Sequence, residues 1–292
     1  MIVITTPTGL IGHQVLDRVL EADEPVRVIV RDPSRLPAPA RERVELIEGS
    51  HGDPEVVDRA FAGADSVFWL APPNRTAPTL DAVYADFARP AAEAIVRHRV
   101  KRVVDVSAVG RGVTEHAGLV SASLAMDDLF ASTGAGFRAL LMPSFMDNVL
   151  RQVDPIKRQG MFFSTVSPDR KLPTCATRDI AAVAAGLLLD HSWSDQDTVA
   201  VLGPEDLSHN EMAEIIADVL GTPVSYRRVP IDAFRQQLAG LGMSDAMADG
   251  MIEMMVAKDD GLDNAEPRTP TSTTPTSFRQ WCEEVLRPAV AA

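Results

Sequence analysis

A chain of 292 residues, 46% hydrophobic and 24% charged, has the material for one large core with an attached lobe. Its formal net charge of −13 argues against sequence-independent binding to nucleic acid or to an anionic membrane, because the long-range term is repulsive. Two distant cysteines, Cys175 and Cys282, exclude a disulfide framework, and six histidines (13, 51, 98, 116, 191 and 209) show no metal-ligand spacing, so no metal is expected.

The first dozen residues organise the chain. Ile2 to Ile4 read as a buried strand, Thr5 to Thr8 as a tight turn, and Gly9 to Gly12 as the opening of a helix whose apolar face is Ile11, Val15, Leu16, Val19 and Leu20. Such a turn offers backbone N–H groups at the positive end of a helix, and Gly9 and Gly12 leave a diphosphate room to approach. A Gly-x-x-Gly-x-x-Gly fingerprint would put its first glycine at Thr6, so a β-branched residue has to make the turn out of the strand. Because the strand begins at Ile2, no leader peptide is expected. The longest apolar helix, Ile180 to Leu189, is too short for a bilayer, and a cytoplasmic protein is the expectation.

Val26 to Val30 form the second strand, ending in Arg31-Asp32-Pro33-Ser34-Arg35. The residue closing this strand faces the adenosine ribose in a Rossmann unit. Arg31, at about the expected spacing of roughly 20 residues from the glycines, favours a 2′-phosphate, so NADP(H) is expected rather than NAD(H).

Strands then follow at Val44 to Ile47, Ala64 to Leu70, Arg102 to Val106 and Phe137 to Met142. Between them the pattern predicts a short helix capped by Asp53-Pro54, a long one from about Thr79 to His98, and one over Leu119 to Ser132 stopped by Gly134. This alternation predicts an α/β fold, a Rossmann-type doubly wound parallel sheet, over residues 1–150. Residues 151–292 read as a smaller C-terminal α+β lobe for the substrate, with about 175–202 returning to the Rossmann sheet. Ser208 and Glu211 form a capping box, and Val224 to Val229 could be a strand. Met243, Met247, Met251, Met254 and Met255 lie at helical spacing, as core packing or as an adaptable wall over a cleft. Pro267 to Thr276 is a Pro/Thr loop without periodicity, and Ser277 with Gln280 caps a last helix.

The two tyrosines, Tyr84 and Tyr226, are followed four residues on by Ala88 and Pro230, so the Tyr/Lys pair of short-chain dehydrogenases is missing. No Gly-x-Ser-x-Gly elbow exists, which argues against a triad hydrolase. Ser107, ending the strand from Arg102, is the candidate catalytic residue, and its alternative role is a cap or turn serine. His116 is either a proton donor or a surface histidine.

Val3 to Gly12, Arg31, Ser107, Ser132-Thr133-Gly134 and Met142-Pro143-Ser144-Phe145-Met146-Asp147-Asn148 together resemble the NmrA-like atypical short-chain reductases. Arg178-Asp179-Ile180-Ala181 and Leu202-Gly203-Pro204-Glu205 extend the likeness to nearly the whole chain. The family includes NADPH-dependent quinone, triphenylmethane-dye and isoflavone-type reductases, and also NADP-sensing regulators without activity. The resemblance implies pyrophosphate binding by Thr8, Gly9, Leu10 and Ile11, with Thr5 and Gly12 in the same turn. It implies a 2′-phosphate on Arg31 and Arg35, and Ser50, Ala71, Pro72, Pro73 and Ser107 along the cofactor. The acceptor would meet Met142, Phe145, Met146 and Asn148. Ser50 stands where many members have aspartate, Met142 where an arginine is common, and the isoflavone-type lysine has no match in Leu119 to Asp128.

The function expected is hydride transfer from NADPH to a quinone-like, conjugated or aromatic small molecule. The alternatives are a non-catalytic NADP(H)-sensing regulator or scaffold, and a degenerate Rossmann protein that binds no dinucleotide. A homodimer is left open.

Overall fold

The computed structural model describes residues 1–112 and 116–292. Its main sheet joins β1 (Ile2–Ile4), β2 (Val26–Val30), β3 (Glu45–Glu48), β4 (Ser66–Trp69), β5 (Arg102–Ala108) and β6 (Gly136–Met142). The helices between them are α1 (Gly12–Glu21), α2 (Ala38–Arg41), α3 (Pro54–Phe61), α4 (Ala85–His98) and α5 (Leu119–Ala131). Beyond β7 (Ser144–Phe145) come α6 (Val153–Gln159), β8 (Met161–Ser164), β9 (Leu172–Cys175), α7 (Thr177–Leu189), β10 (Gln196–Ala200) and β11 (Asp206–Leu207). The chain closes with α8 (His209–Leu220), β12 (Ser225–Arg228), α9 (Ile231–Gly240), α10 (Asp245–Asp259) and a last helix from Phe278 to Ala291.

The sheet runs β10-β6-β5-β4-β1-β2-β3, and every pairing in it is parallel. Strands buried on both faces explain the apolar runs without alternation. One face packs on α1 and α7 through Val15, Leu16, Val19, Ile180, Ala184 and Leu188. The other packs on α3, α4 and α5 through Val57, Phe61, Ala91, Ile95, Met126 and Phe130. Chain order reverses between β1 and β4, and crevices for ligands open at the carboxyl ends of such strands.

The helix expected from Thr79 begins at Ala85. Leu80 to Tyr84 turns instead, with the Leu80 side chain packed where a Cβ on Gly250 of α10 would lie 2.7 Å away. Helix α10 is held there by Ser244, whose amide donates to the Arg75 carbonyl (2.9 Å) and whose hydroxyl donates to the Ala77 carbonyl (2.6 Å). Gly118, at φ +53, lets α5 approach so closely that a Cβ would lie 2.0 Å from the Gly250 oxygen. Met243, Met247, Met251 and Met254 fill this seam with Ala77, Val83 and Leu119.

The Pro/Thr tail is a buried strap. The Leu202 amide donates to the Ser272 carbonyl (2.8 Å), the Thr274 amide to the Leu202 carbonyl (2.7 Å), and the amide and hydroxyl of Thr276 to the Asp179 carboxylate (3.1 and 2.9 Å). Its inward residues, Ser272, Thr274 and Thr276, are polar, so hydrophobic periodicity could not reveal them. Cys175 and Cys282 are both free and buried. No helix among the described residues is long and apolar enough to cross a membrane.

Two packed histidines set the acid limit of this fold. Burial pushes His51 and His209 down to about 4 from an ordinary value near 6.5. Between those values the unfolded chain takes up protons at these two sites that the folded one refuses, so the stability the two histidines contribute is full above about pH 6.5 and falls as pH drops towards 4. Asp65, held down to about 2 by Lys101 and the amino terminus, weakens the fold only below about pH 4. The urea midpoint of the wild type should therefore fall relative to that of a His51→Gln/His209→Gln double variant as pH drops from about 6.5 to about 4.

Candidate functional site

Thr5 follows β1 and is fully buried. Its hydroxyl donates to the Phe68 carbonyl (3.0 Å) and accepts from the Leu70 amide (3.1 Å), clamping β1 to β4. The hydroxyl of Thr5, a residue expected at the cofactor, is thus spent inside the sheet. Thr6 then turns left-handed at φ +51, the conformation for which a fingerprint glycine is used, and its Oγ1 is buried without a partner. For a β-branched residue this costs about 1–2 kcal/mol. A Cβ on Gly12 would lie 2.1 Å from the Thr6 carbonyl oxygen, so only glycine lets α1 start this close to the strand.

Helix α1 has no side-chain cap and no acid in its first turn. The His13 Nδ1–H donates to the Gly9 carbonyl (2.8 Å) and Gln14 Nε2 to the Leu10 carbonyl (2.7 Å). Among the described residues, the amides of Leu10 and Ile11 have no backbone acceptor. Unpaired donors, a helix dipole and the absence of any obstructing Cβ at Gly12 fit a diphosphate. Thr8 and Gly9 are half-buried in this turn, and Leu10 projects into solvent at 52% exposure.

Arg31 and Arg35 are exposed at the end of β2 and make no ion pair among the described residues. The intervening Asp32 accepts from the Ser34 amide (3.0 Å) and hydroxyl (2.6 Å), bonds that hold its carboxyl below the usual range. Its charge is held mainly by Ser34 and also feels Arg35, without an ion pair to either guanidinium. Ser50 accepts from the Gly52 amide (3.3 Å). Beside it the His51 ring lies edge-on to Trp69 and Phe87, donates from Nε2 to the Leu70 carbonyl (3.1 Å), and feels the Arg31 charge. Ala71 and Pro72 are half-buried and Pro73 is exposed after β4.

The four acceptor candidates separate. Met142 (3% exposed) packs in the core against α7, and Met146 (1%) in the lobe core, so neither side chain forms an open wall. Phe145 is half-buried and Asn148 exposed. His116 is exposed beside a cavity of about 260 Å³ with Leu80, Asp81 and Glu253.

Ser107 is neither a cap nor a turn residue. Its hydroxyl donates to Asp127 of α5 (2.5 Å), which also meets Arg111 (3.3 Å). The Asp127 charge acts on Asp105, which stands two residues before Ser107 on the same face of β5 and is completely buried. Neither acid was singled out from sequence, although Asp105 interrupts the apolar run Val103-Val104-Asp105-Val106.

A glycine-lined turn at the switch point of a parallel sheet, with free arginines at the next strand end, defines a dinucleotide-binding protein. The sequence model for NAD(P)H-binding proteins matches residues 7–190 and that of the NmrA-like family residues 130–281. The chain belongs to the NmrA-like, NAD(P)H-binding family, and its cofactor is NAD(P)H. It is 28% identical to an NAD(P)H azoreductase of Xenophilus azovorans, over 87% of this chain and 86% of that protein. It is 31% identical to (4-alkanoyl-5-oxo-2,5-dihydrofuran-3-yl)methyl phosphate reductase of Streptomyces griseus, over 82% of this chain and 80% of the other. Its fold matches that of an NADPH-dependent quinone oxidoreductase from Escherichia coli, solved with NADPH, at a TM-score of 0.76, 19% identity and coverage of 100% and 99% of the two chains. These likenesses place the chain among NAD(P)H-dependent reductases.

The turn itself can be tested. Thr6→Gly removes the left-handed strain but frees the unfolded chain, so a gain of about 0.5–1 kcal/mol in stability is expected, with dinucleotide affinity kept. Gly12→Ala should abolish binding in a calorimetric titration and lower the melting temperature.

Proposed function

We propose that the chain is an NADPH-preferring reductase that passes hydride directly to a quinone-like or other conjugated or aromatic acceptor, without a Tyr/Lys dyad. The observation that carries this reading is the pair of unpaired guanidinium groups, Arg31 and Arg35, beside a turn with free amides. A 2′-phosphate is a dianion that such a pair binds through charge-assisted hydrogen bonds, whereas the bare ribose of NADH gives it nothing to hold. Bound at this edge, NADPH supplies the hydride. The chain's part is to fix the diphosphate on Thr8 to Gly12 and line the adjoining surface with Ala71, Pro72 and Pro73. The acceptor then rests on Phe145 and Asn148.

The acceptor class is supported by the azoreductase and quinone oxidoreductase likenesses, since both names describe flat conjugated molecules that accept hydride. The cytoplasm suits the two free cysteines. Tyr84 and Tyr226, each without a lysine four residues on, also fit a non-catalytic NADP(H) sensor, possible as a homodimer.

Titration with NADPH, NADP⁺ and NADH should give micromolar NADPH binding and much weaker NADH binding, and a quinone panel should oxidise NADPH. Arg31→Ala should cut the NADPH/NADH preference at least about tenfold, roughly 1.4 kcal/mol. An unchanged preference overturns the cofactor assignment, and tight NADP⁺ binding without turnover of any acceptor favours the sensor.

A further inference from the structure

Reduction of a quinone or an azo bond needs more than hydride. Hydride delivery leaves a negative charge on oxygen or nitrogen, and one proton must follow; with the dyad missing, no donor has yet been assigned. The geometry points to Ser107, backed by the buried Asp127–Asp105 carboxyl pair, as the proton source for the acceptor. This rests on the reductase reading above.

Ser107 sits at the carboxyl end of β5, the sheet edge at which ligands gather, and is 6% exposed. Behind it lie two buried acids: the Ser107 hydroxyl meets Asp127 Oδ2 at 2.5 Å, and Asp105, two residues before Ser107 on the same face of β5, feels the Asp127 charge. Both Asp105 oxygens and Asp127 Oδ1 have no hydrogen-bond partner, and the two residues are 0% and 1% exposed. Two carboxylates cannot both stay ionised there, so the pair holds at least one proton. Burial first, and then the Asp127 charge, raise Asp105 well above the carboxylate range. Burial raises Asp127 too, against the pull of Asp105, Ser107 and Arg111.

The groups facing this pair are few. Tyr84, at the start of α4, is pushed up to about 12 by burial and by the Asp105 charge, so it stays neutral. Arg111 follows β5 and bridges Asp127 to the exposed Asp128 (2.7 Å), giving the pair a charged exit towards solvent. A carboxyl pair with nothing to do would be an expensive element of a core, and replacement by apolar residues would serve stability as well.

The step balances as follows. Hydride adds two electrons and one hydrogen to the acceptor; the O–H bond of Ser107 breaks as a new bond forms from its proton to the acceptor anion. Asp127, which accepts the Ser107 hydroxyl at rest, first takes the pair's proton. The hydroxyl then turns to the acceptor, the serine oxygen takes that proton from Asp127 in exchange for its own, and solvent restores the pair past Arg111.

Two acceptors separate this role from a merely structural one. A quinone needs hydride and a proton, whereas a cationic triphenylmethane dye becomes its neutral leuco form by hydride alone. Asp127→Asn should lower the quinone-to-dye rate ratio about 30-fold. It should also remove the fall in wild-type quinone rate as pH rises through the pair's titration, and Ser107→Ala should lower the ratio similarly if Asp127→Asn folds poorly. In cofactor-free protein at pH 7, infrared spectroscopy should show a protonated-carboxyl band that Asp105→Asn removes. An unchanged ratio, or no such band in the wild type, overturns the relay while leaving the reductase reading intact. A wild-type chain that binds NADPH but reduces neither acceptor overturns the reductase reading, and the relay with it.

Discussion

The structure depends on one close approach, between the carbonyl oxygen of Thr6 and the backbone of Gly12. A Cβ at Gly12 would stand 2.1 Å from that oxygen, so strand β1 can feed α1 within a few residues only because one partner has no side chain. The contact forces Thr6 into the left-handed region, and the Thr5 hydroxyl holds the strand end in place by bonding both the carbonyl of Phe68 and the amide of Leu70. Strain at Thr6 is thus borne by hydrogen bonds one residue away. The result is a helix that starts uncapped and presents free donors at the switch point of the sheet.

Around that turn the fold sorts charge by what each group can reach. Asp32 is bonded to Ser34 and also feels Arg35, and Arg31 and Arg35 remain without an ion pair among the described residues of a chain of net charge −13. A local basic site in an acidic protein attracts an anion without turning the whole surface into a polyanion trap. At the end of β5, Asp105 and Asp127 are packed away from water, and Asp127 accepts from the Ser107 hydroxyl.

The C-terminal segments close these edges by threading back. The strap of Ser272, Thr274 and Thr276 bonds to Leu202 and Asp179, so the tail is tied to the helix that packs on α1. Lys258 donates to both oxygens of Asp263 (2.6 Å), which also accepts from the Ser144 amide (3.3 Å), and this buried ion pair anchors α10 to the segment after β6. Met142 and Met146 serve that packing, and Phe145 and Asn148 carry what exposed surface the segment has.

Sequence alone determined the alternation of strands and helices, because apolar runs such as Val26 to Val30 and the four-residue spacing of Val15 and Val19 are local consequences of burial on both faces of a sheet. It also located the glycine turn and the arginines after β2, whose roles depend on near neighbours in the chain. Tertiary structure alone decided the rest. The pairing of Asp105 with Asp127, the use of Thr5 as a clamp, the burial of Met142 and Met146, and the polar strap each join residues up to about a hundred positions apart, and no periodicity encodes a partner that distant. Helix α4 starts late for the same reason: Leu80 is held by Gly250, far along the chain, and local propensity yields to packing.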